Sequence, residues 1–138
     1  MNILSFDLGK TNAYYSSSKK IGAEFECKDL FDFSRVISQL LKKLSPNVVL
    51  VPFPVRYYNV FARHYEKIGI IKLHAIDNNI IVIEVNDKRC KKVVLGNGNA
   101  NKEDVKHHFC EKSEHIADCM LFQKFYELEI KQGNYVEQ

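Results

Sequence analysis

Three polar side chains in this 138-residue sequence have types and spacing suited to chemistry. Asp7 ends a predicted first strand and is followed by a Leu-Gly pair that allows a tight turn. His115 and Asp118 are three residues apart in a predicted helix and therefore share one helical face. Carboxylate and imidazole groups bind metal ions and transfer protons. Singly, each has an ordinary explanation: Asp7 as a turn cap, His115 as a helix-start residue and Asp118 as a solvated acid.

A glycine-rich stretch, VVLGNGNANKEDV (93–105), is the second feature with chemical potential. It places Gly96 and Gly98 two residues apart, although the chain has only six glycines. Glycines let the backbone approach a phosphate chain closely, and basic residues precede and follow the stretch. Taken alone, the stretch is better explained as a flexible surface loop beside a solvated basic face.

The elements that must position these residues follow from periodicity and turn signals. The order is β-β-β-α-β-α-β-α-α, and it predicts an α/β fold with a mixed sheet and helices on its faces. The predicted strands are 2–7, 12–18, 21–27, 48–51 and 80–85, the last two being continuous apolar runs of the buried kind. The first predicted helix is capped by Asp32 or Ser34 and runs to about residue 44. The other predicted helices are 56–75, 102–110 and 115–130. Parts of the apolar face of the last helix are supplied by Ile116, Met120, Phe125 and Leu128.

Composition fits a folded protein, with 46% hydrophobic and 27% charged residues. Length predicts one domain over residues 1–130 and a frayed tail over 131–138. The net charge of +3 permits nucleic-acid binding without requiring it. The start lacks signal-peptide features and no apolar run could span a membrane, so we expect an intracellular protein, cytoplasmic or nucleoid-associated, that is not secreted. Four cysteines without a CxxC pair favour reduced thiols over disulfides or zinc.

In their order along the chain, these motifs resemble the RuvC-like Holliday junction resolvases, a branch of the ribonuclease H-like nucleases. The first-strand D-x-G of that family matches the DLG that begins at Asp7. Its V-K-x-x-x-x-G-x-G-x-A-x-K-x-x-V pattern is matched over 90–105, with Cys90 in place of the first Val. Its closing H-x-x-D is matched by His115 and Asp118. The resemblance covers the chain from its start to about residue 127.

The resemblance implies a ribonuclease H-like fold whose five-stranded sheet has three antiparallel strands followed by two parallel ones. It implies a homodimer that cuts four-way (Holliday) DNA junctions, with Asp7, His115 and Asp118 as catalytic residues holding Mg²⁺, for which Mn²⁺ could substitute. Two such ions lie roughly 3.5–4 Å apart in enzymes of this kind. We expect the 56–75 helix to serve the dimer or the junction centre. The residues expected to contact DNA are Lys88, Arg89, Lys91, Lys92, Gly96, Gly98, Asn99, Lys102, Lys106, Arg56 and Tyr57.

One departure from the family concerns its fourth-strand Glu, whose position is taken by Pro52. A proline cannot bind a metal, so the alternative is a protein that binds branched DNA without cutting it. Carboxylates that could substitute are Glu24, Glu26, Glu66 and Glu114, while Glu84 sits where family members often carry a Glu. A further alternative is a phosphate-transfer domain of the actin and sugar-kinase type, which the opening DLGKTN suits but the short length does not.

Overall fold

A computed structural model describes residues 1–53, 62–131 and 133 of the chain. Five strands form one sheet, and helices cover both of its faces. The strands are β1 (Ile3–Asp7), β2 (Asn12–Ser16), β3 (Ile21–Phe25), β4 (Val48–Pro52) and β5 (Ile81–Val85). The helices are α1 (Leu30–Leu44), α2 (Ala62–Asp77), α3 (Asp87–Leu95), α4 (Lys102–Phe109) and α5 (Glu114–Phe125), and a π-helical turn (Tyr126–Ile130) continues α5.

The sheet has the order β3-β2-β1-β4-β5. The β1–β2 and β2–β3 pairs are antiparallel, whereas β1–β4 and β4–β5 are parallel, which confirms the predicted mixed sheet. Because Ser5 pairs with Leu50 in the β1–β4 ladder, Asp7 and Pro52 lie at the same edge, where both strands end. This edge collects side chains from the carboxyl ends of the parallel strands.

Alternation along the strands divides the core into two layers. Leu4, Phe6, Val49 and Val51 pack with α1 and α2 on one face. Residues of the opposite parity, including Leu50, pack with α3, α4 and α5 on the other face. Asp7 and Pro52 have the parity of the second set, so both belong to the face that α5 covers.

Helix α1 begins earlier than predicted. Its N-cap is Asp29, whose Oδ1 accepts a hydrogen bond from the backbone N of Asp32 at 2.8 Å, so the prediction of Asp32 or Ser34 as the cap is wrong. The reason is that an additional turn carries Phe33, which is fully buried in the core. Helix α2 ends at Asp77, two residues beyond the prediction, and the first part of the predicted 56–75 helix lies in 54–61, outside the described residues.

Three other expectations require correction. Helix α3 was not predicted, because five of its nine residues are charged and only a short apolar face, of Cys90, Val93 and Val94, packs on the core. Strand β5 is an edge strand rather than a buried one, and Ile81 is 61% exposed. The predicted apolar face of α5 is incomplete: Phe125 is buried and Ile116 and Met120 are half-buried, but Leu128 is exposed. Because the helix packs between the sheet and two helices, buried residues surround it. Its buried apolar residues are Ala117, Cys119, Leu121, Phe122 and Phe125.

All four cysteines are free thiols, as predicted. Among the helices in the described ranges, none has the length and apolar content needed to cross a membrane. Most of the predicted frayed tail, residues 132 and 134–138, lies outside the described residues.

Candidate active site

The N-terminal end of α5 lies against the carboxyl end of β1. This contact brings together Asp7, His115 and Asp118, the three candidate catalytic residues. Nδ1 of His115 lies 2.8 Å from Oδ2 of Asp7. Both side chains line one cavity of about 340 Å³, and Asp118, one helical turn further along α5, lines it too. Residues separated by more than a hundred positions in sequence therefore share one concave surface.

A buried polar network fixes α5 against the sheet. The amide Nε2 of Gln123 donates to the backbone O of Tyr15 at 2.7 Å and to Oγ of Ser5 at 2.9 Å. Oγ of Ser5 in turn donates to the backbone O of Cys119 at 2.7 Å. Ser113 caps the helix by accepting from the backbone N of Ile116 at 3.1 Å. These bonds join the middle of α5 to β1 and β2, and so determine where its first turn lies relative to Asp7.

The electrostatics of the cavity disfavour two ionised carboxylates. Burial, together with the negative charges of Asp7 and Asp87, raises the pKa of Asp118 to about 7. Burial also raises the pKa of Asp7, although the hydrogen bond from His115 opposes the rise. Clustered carboxylates with raised pKa values are typical of a cation-binding site, because a bound cation would favour their charged forms.

The donor set fits a divalent metal in its chemistry. Two carboxylates supply the hard oxygen ligands that Mg²⁺ prefers, and an imidazole lies beside them. In the described residues, however, no three His, Cys, Asp or Glu side chains surround one common point as preformed metal ligands. At this cavity a hydrogen bond between His115 and Asp7 occupies the imidazole Nδ1. A cation must therefore compete with that bond for the same donors.

Solved structures provide the comparison for this fold. Thermus thermophilus RuvC superposes with a TM-score of 0.75 at 15% identity, covering 100% of both chains. The same protein in complex with a Holliday junction substrate gives a TM-score of 0.77 at 13% identity, again over 100% of both chains. The Fowlpox virus resolvase, in complex with substrate Holliday junction DNA, gives 0.58 at 18% identity, covering 93% of this chain and 98% of that one.

This chain has the RuvC fold. The ribonuclease H-like architecture predicted from the sequence is thereby confirmed, and it is the fold of junction-resolving nucleases. No protein-family model matches the sequence, and no curated protein matches it either.

Within the RuvC fold, Pro52 is the last residue of β4 and pairs with Val85 of β5. Among the carboxylates considered as substitutes for the missing Glu, Glu114 lines the same cavity as Asp7, and its Oε1 lies 3.5 Å from Nε2 of His115. The other three are placed elsewhere. Glu24 accepts from the Ser113 hydroxyl, Glu26 accepts from Thr11 at 3.3 Å, and Glu66 is exposed on α2.

Glu84 does not join this edge. Its neighbours Ile83 and Val85 pack on the α5 face, so the alternating side chain of Glu84 lies on the α2 face. There it pairs with Lys72 of α2, with an N–O distance of 3.5 Å.

Of the predicted DNA-contacting residues that the structure describes, Lys102 and Lys91 lie at or near the cavity, and the others lie on α3, on α4 and in the loop between them. Lys102 lines the cavity and pairs with Glu114 at 3.2 Å, and the positive charge of Lys91 acts on Asp118. Lys88, Arg89 and Lys92 are exposed on α3, and Arg89 reaches Glu129 at 3.9 Å. Asn99 is exposed in the loop, and Lys106 pairs with Glu103 at 2.8 Å. Arg56 and Tyr57 lie outside the described residues.

The two glycines of the loop have structural duties. Gly96 is the C-cap of α3 and has a φ of +79°, a conformation that side chains other than glycine adopt with strain. Gly98 packs against α3, because a Cβ there would lie 3.3 Å from Cγ of Lys88. Asn101 then begins α4 with a capping box that it shares with Asp104. The glycine spacing is therefore explained by a tight helix–helix connection, and contact with phosphate remains a prediction.

Sequence reasoning missed four residues that belong to the site or support it. Lys10 and Thr11 line the cavity beside Asp7, and they could have been found because they follow it directly in DLGKT. Asp87 follows the end of β5, a signal equivalent to that of Asp7, and it pairs with Lys91 at 2.9 Å. Gln123 gave no signal, since its role depends on the docking of α5 on the sheet.

Proposed function

We propose that this protein is a divalent-metal-dependent endonuclease that resolves four-way DNA junctions. The observation that carries the proposal is the convergence of Asp7, His115 and Asp118 in one cavity at the edge of a RuvC-fold sheet. Two solved structures with this fold contain Holliday junction DNA, which supports branched DNA as the ligand.

In this proposal Asp7, Asp118 and His115 hold Mg²⁺, for which Mn²⁺ can substitute. When bound, such ions activate a water molecule and stabilise the departing oxygen of a phosphodiester. Asp7 stands on the rigid end of the central strand, and the α5 network holds the other two donors opposite it. Glu114 lines the same cavity and is the residue best situated to compensate for the proline at position 52.

The chain's own cations provide the grip on DNA. Lys10 and Lys102 line the cavity beside the acidic groups, where they would meet the phosphates that flank the cut. Lys88 and Lys92 extend the positive surface along α3, and both are exposed. Phosphate contacts of this kind make affinity fall steeply with salt.

A homodimer follows from the same proposal, since two matched incisions resolve a junction. The exposed face of α2 supports it: Tyr65, Leu73 and Ile76 are 56%, 65% and 70% exposed and recur at helical spacing. Gly69 lies on this stripe between them, and nothing lies within 4 Å of where its Cβ would be. An exposed apolar stripe along one helix face is typical of an interaction site.

The test is a cleavage assay on a synthetic four-way junction with Mg²⁺ and, separately, Mn²⁺. We expect symmetric nicks near the branch point that require the metal, and no cutting of linear duplex of the same sequence. Junction binding without nicks under both metals would contradict the nuclease and leave the alternative, a protein that only binds branched DNA. Failure to bind the junction would contradict the proposed substrate itself.

A further inference from the structure

A second cavity, of about 460 Å³, adjoins the candidate active site. Gly9 and Lys10 of the β1–β2 turn line both cavities, so this turn forms the wall between them. Beyond the wall the second cavity is lined by residues of α2 and of the segment that leads into α1, including Cys27, Leu30 and Arg63. The two cavities are therefore adjacent, and a ligand that crosses this turn would contact both of them.

Lys67 of α2 makes the shared wall rigid. Its Nζ donates to the backbone O of Gly9 at 2.6 Å and to Oδ1 of Asn12 at 2.9 Å, across 58 and 55 residues of sequence. The ammonium also lies 5.4 Å from the ring centroid of Phe33, within cation–π range. Burial lowers the pKa of Lys67. The wall between the two cavities is therefore held in place by Lys67, whose ammonium group is partly desolvated.

The cavity is lined by both charged and apolar side chains. Lys10, Arg63 and Lys67 supply positive charge, and the last two are four residues apart on one face of α2. The acid of the lining, Asp29, is engaged as the N-cap of α1. Leu30 adds an apolar side chain to the lining, and the half-buried Cys27 adds a thiol. Such a lining suits a ligand that carries both an anionic group and a flat, weakly polar body.

We propose that this cavity binds the nucleotide next to the scissile phosphate, with its phosphate near Lys10 and Arg63 and its base against Leu30 and Cys27. The inference rests on the proposed function, because it takes the DNA strand to pass through the first cavity. Size favours a nucleotide over a lone phosphate, since the volume lies in the range of sites that enclose a small organic molecule, roughly 300–1,000 Å³.

Cys27 provides a direct probe of occupancy. Cys90 and Cys119 are buried, so in a Cys110→Ser background Cys27 is the only thiol of the chain that is accessible to a reagent. Because burial raises the pKa of Cys27, alkylation by iodoacetamide is measured near pH 9, by intact mass. A four-way junction is added without divalent metal, and fluorescence anisotropy verifies that it saturates the protein.

We expect the saturating junction to slow Cys27 alkylation at least tenfold. An unchanged rate on a protein shown to be saturated would overturn the nucleotide site and leave the proposed function standing. If anisotropy detects no junction binding at all, the proposed function and this inference both fail.

A pair of tryptophan variants separates occupancy from distant effects of DNA. Leu30→Trp fills the cavity, whereas Phe31→Trp adds the same ring to the neighbouring residue, which is 88% exposed. We expect Leu30→Trp to weaken junction binding at least fivefold in anisotropy while Phe31→Trp leaves it unchanged. Equal affinities for the two variants, with both folded by circular dichroism, would overturn the proposal.

Discussion

Nδ1 of His115 lies 2.8 Å from Oδ2 of Asp7, although 108 residues separate them in the chain. The bond joins the first turn of α5 to the end of β1. The carboxyl ends of the parallel strands lie together at this end of the sheet. The bond has two consequences: it orients the imidazole, and it lowers the cost of keeping Asp7 ionised in a buried position.

Asp7→Asn should abolish cleavage and preserve junction binding. The amide keeps the shape of the side chain but removes the charge that a divalent metal requires. We expect the cleavage rate to fall at least about a hundredfold, or ~3 kcal/mol, with a junction affinity within about twofold of the parent. Single-turnover cleavage and anisotropy measure the two effects. Asp77→Asn, at the end of α2, is the matched control; unchanged activity in Asp7→Asn would refute the metal assignment.

Asp118→Asn should stabilise the metal-free protein at alkaline pH. The folded pKa of about 7 lies above the usual 3.8, so the folded state binds more protons, and its stability falls as pH rises between these values. The loss is complete above the folded pKa and is on the order of a few kcal/mol.

Chemical denaturation of Asp118→Asn without metal checks this account. The variant should exceed the parent in unfolding free energy near pH 8, and the gain should shrink as pH falls towards 4. Glu66→Gln, an exposed acid on α2, should show no such trend. A gain that does not depend on pH would mean that the ionisation of Asp118 is not the cause.

The central part of the fold was predictable because its signals are local. Residues 48–51 form a continuous apolar run between turn residues, and the structure buries all of them in β4. Asp7 was predictable for a similar reason, since a strand, an acid and a Leu-Gly turn adjoin in sequence. The resemblance to RuvC then related Asp7 to the distant His115 and Asp118.

What the sequence could not predict depends on packing between distant elements. Helix α3 is short and more than half of its residues are charged, so the apolar face formed by Cys90, Val93 and Val94 gives only a weak periodic signal. The N-cap of α1 moved to Asp29 because the core has room for Phe33, which only the assembled sheet reveals. The loop glycines were assigned to phosphate contact, whereas the positive φ of Gly96 is required by the end of a helix that was itself not predicted.

Gln123→Leu should impair both stability and cleavage. The amide is buried and donates to Ser5 and to the strand carbonyl of Tyr15, which the leucine would leave without this donor. We expect a loss of about 1–3 kcal/mol in unfolding free energy. Cleavage should also slow when measured where the variant is fully folded, because α5 is no longer held in position against β1. Lys124→Leu, the exposed neighbour, is the control for both measurements; a stability loss with a normal cleavage rate would limit Gln123 to a structural role.

Leu73→Lys combined with Ile76→Lys should produce a monomer. Both residues are more than half exposed on the apolar stripe of α2, and two ammonium groups there could not be buried against a second copy without a large desolvation cost. We expect the dissociation constant of the dimer, measured by analytical ultracentrifugation, to be at least ten times that of the parent. The far-ultraviolet circular dichroism spectrum should be unchanged. Phe31→Lys, which replaces an exposed aromatic residue of α1, should leave the dimer intact. A double variant that stays dimeric would exclude this face of α2 as the interface, whereas a monomer that nicks junctions on one strand only would connect the interface to paired incision.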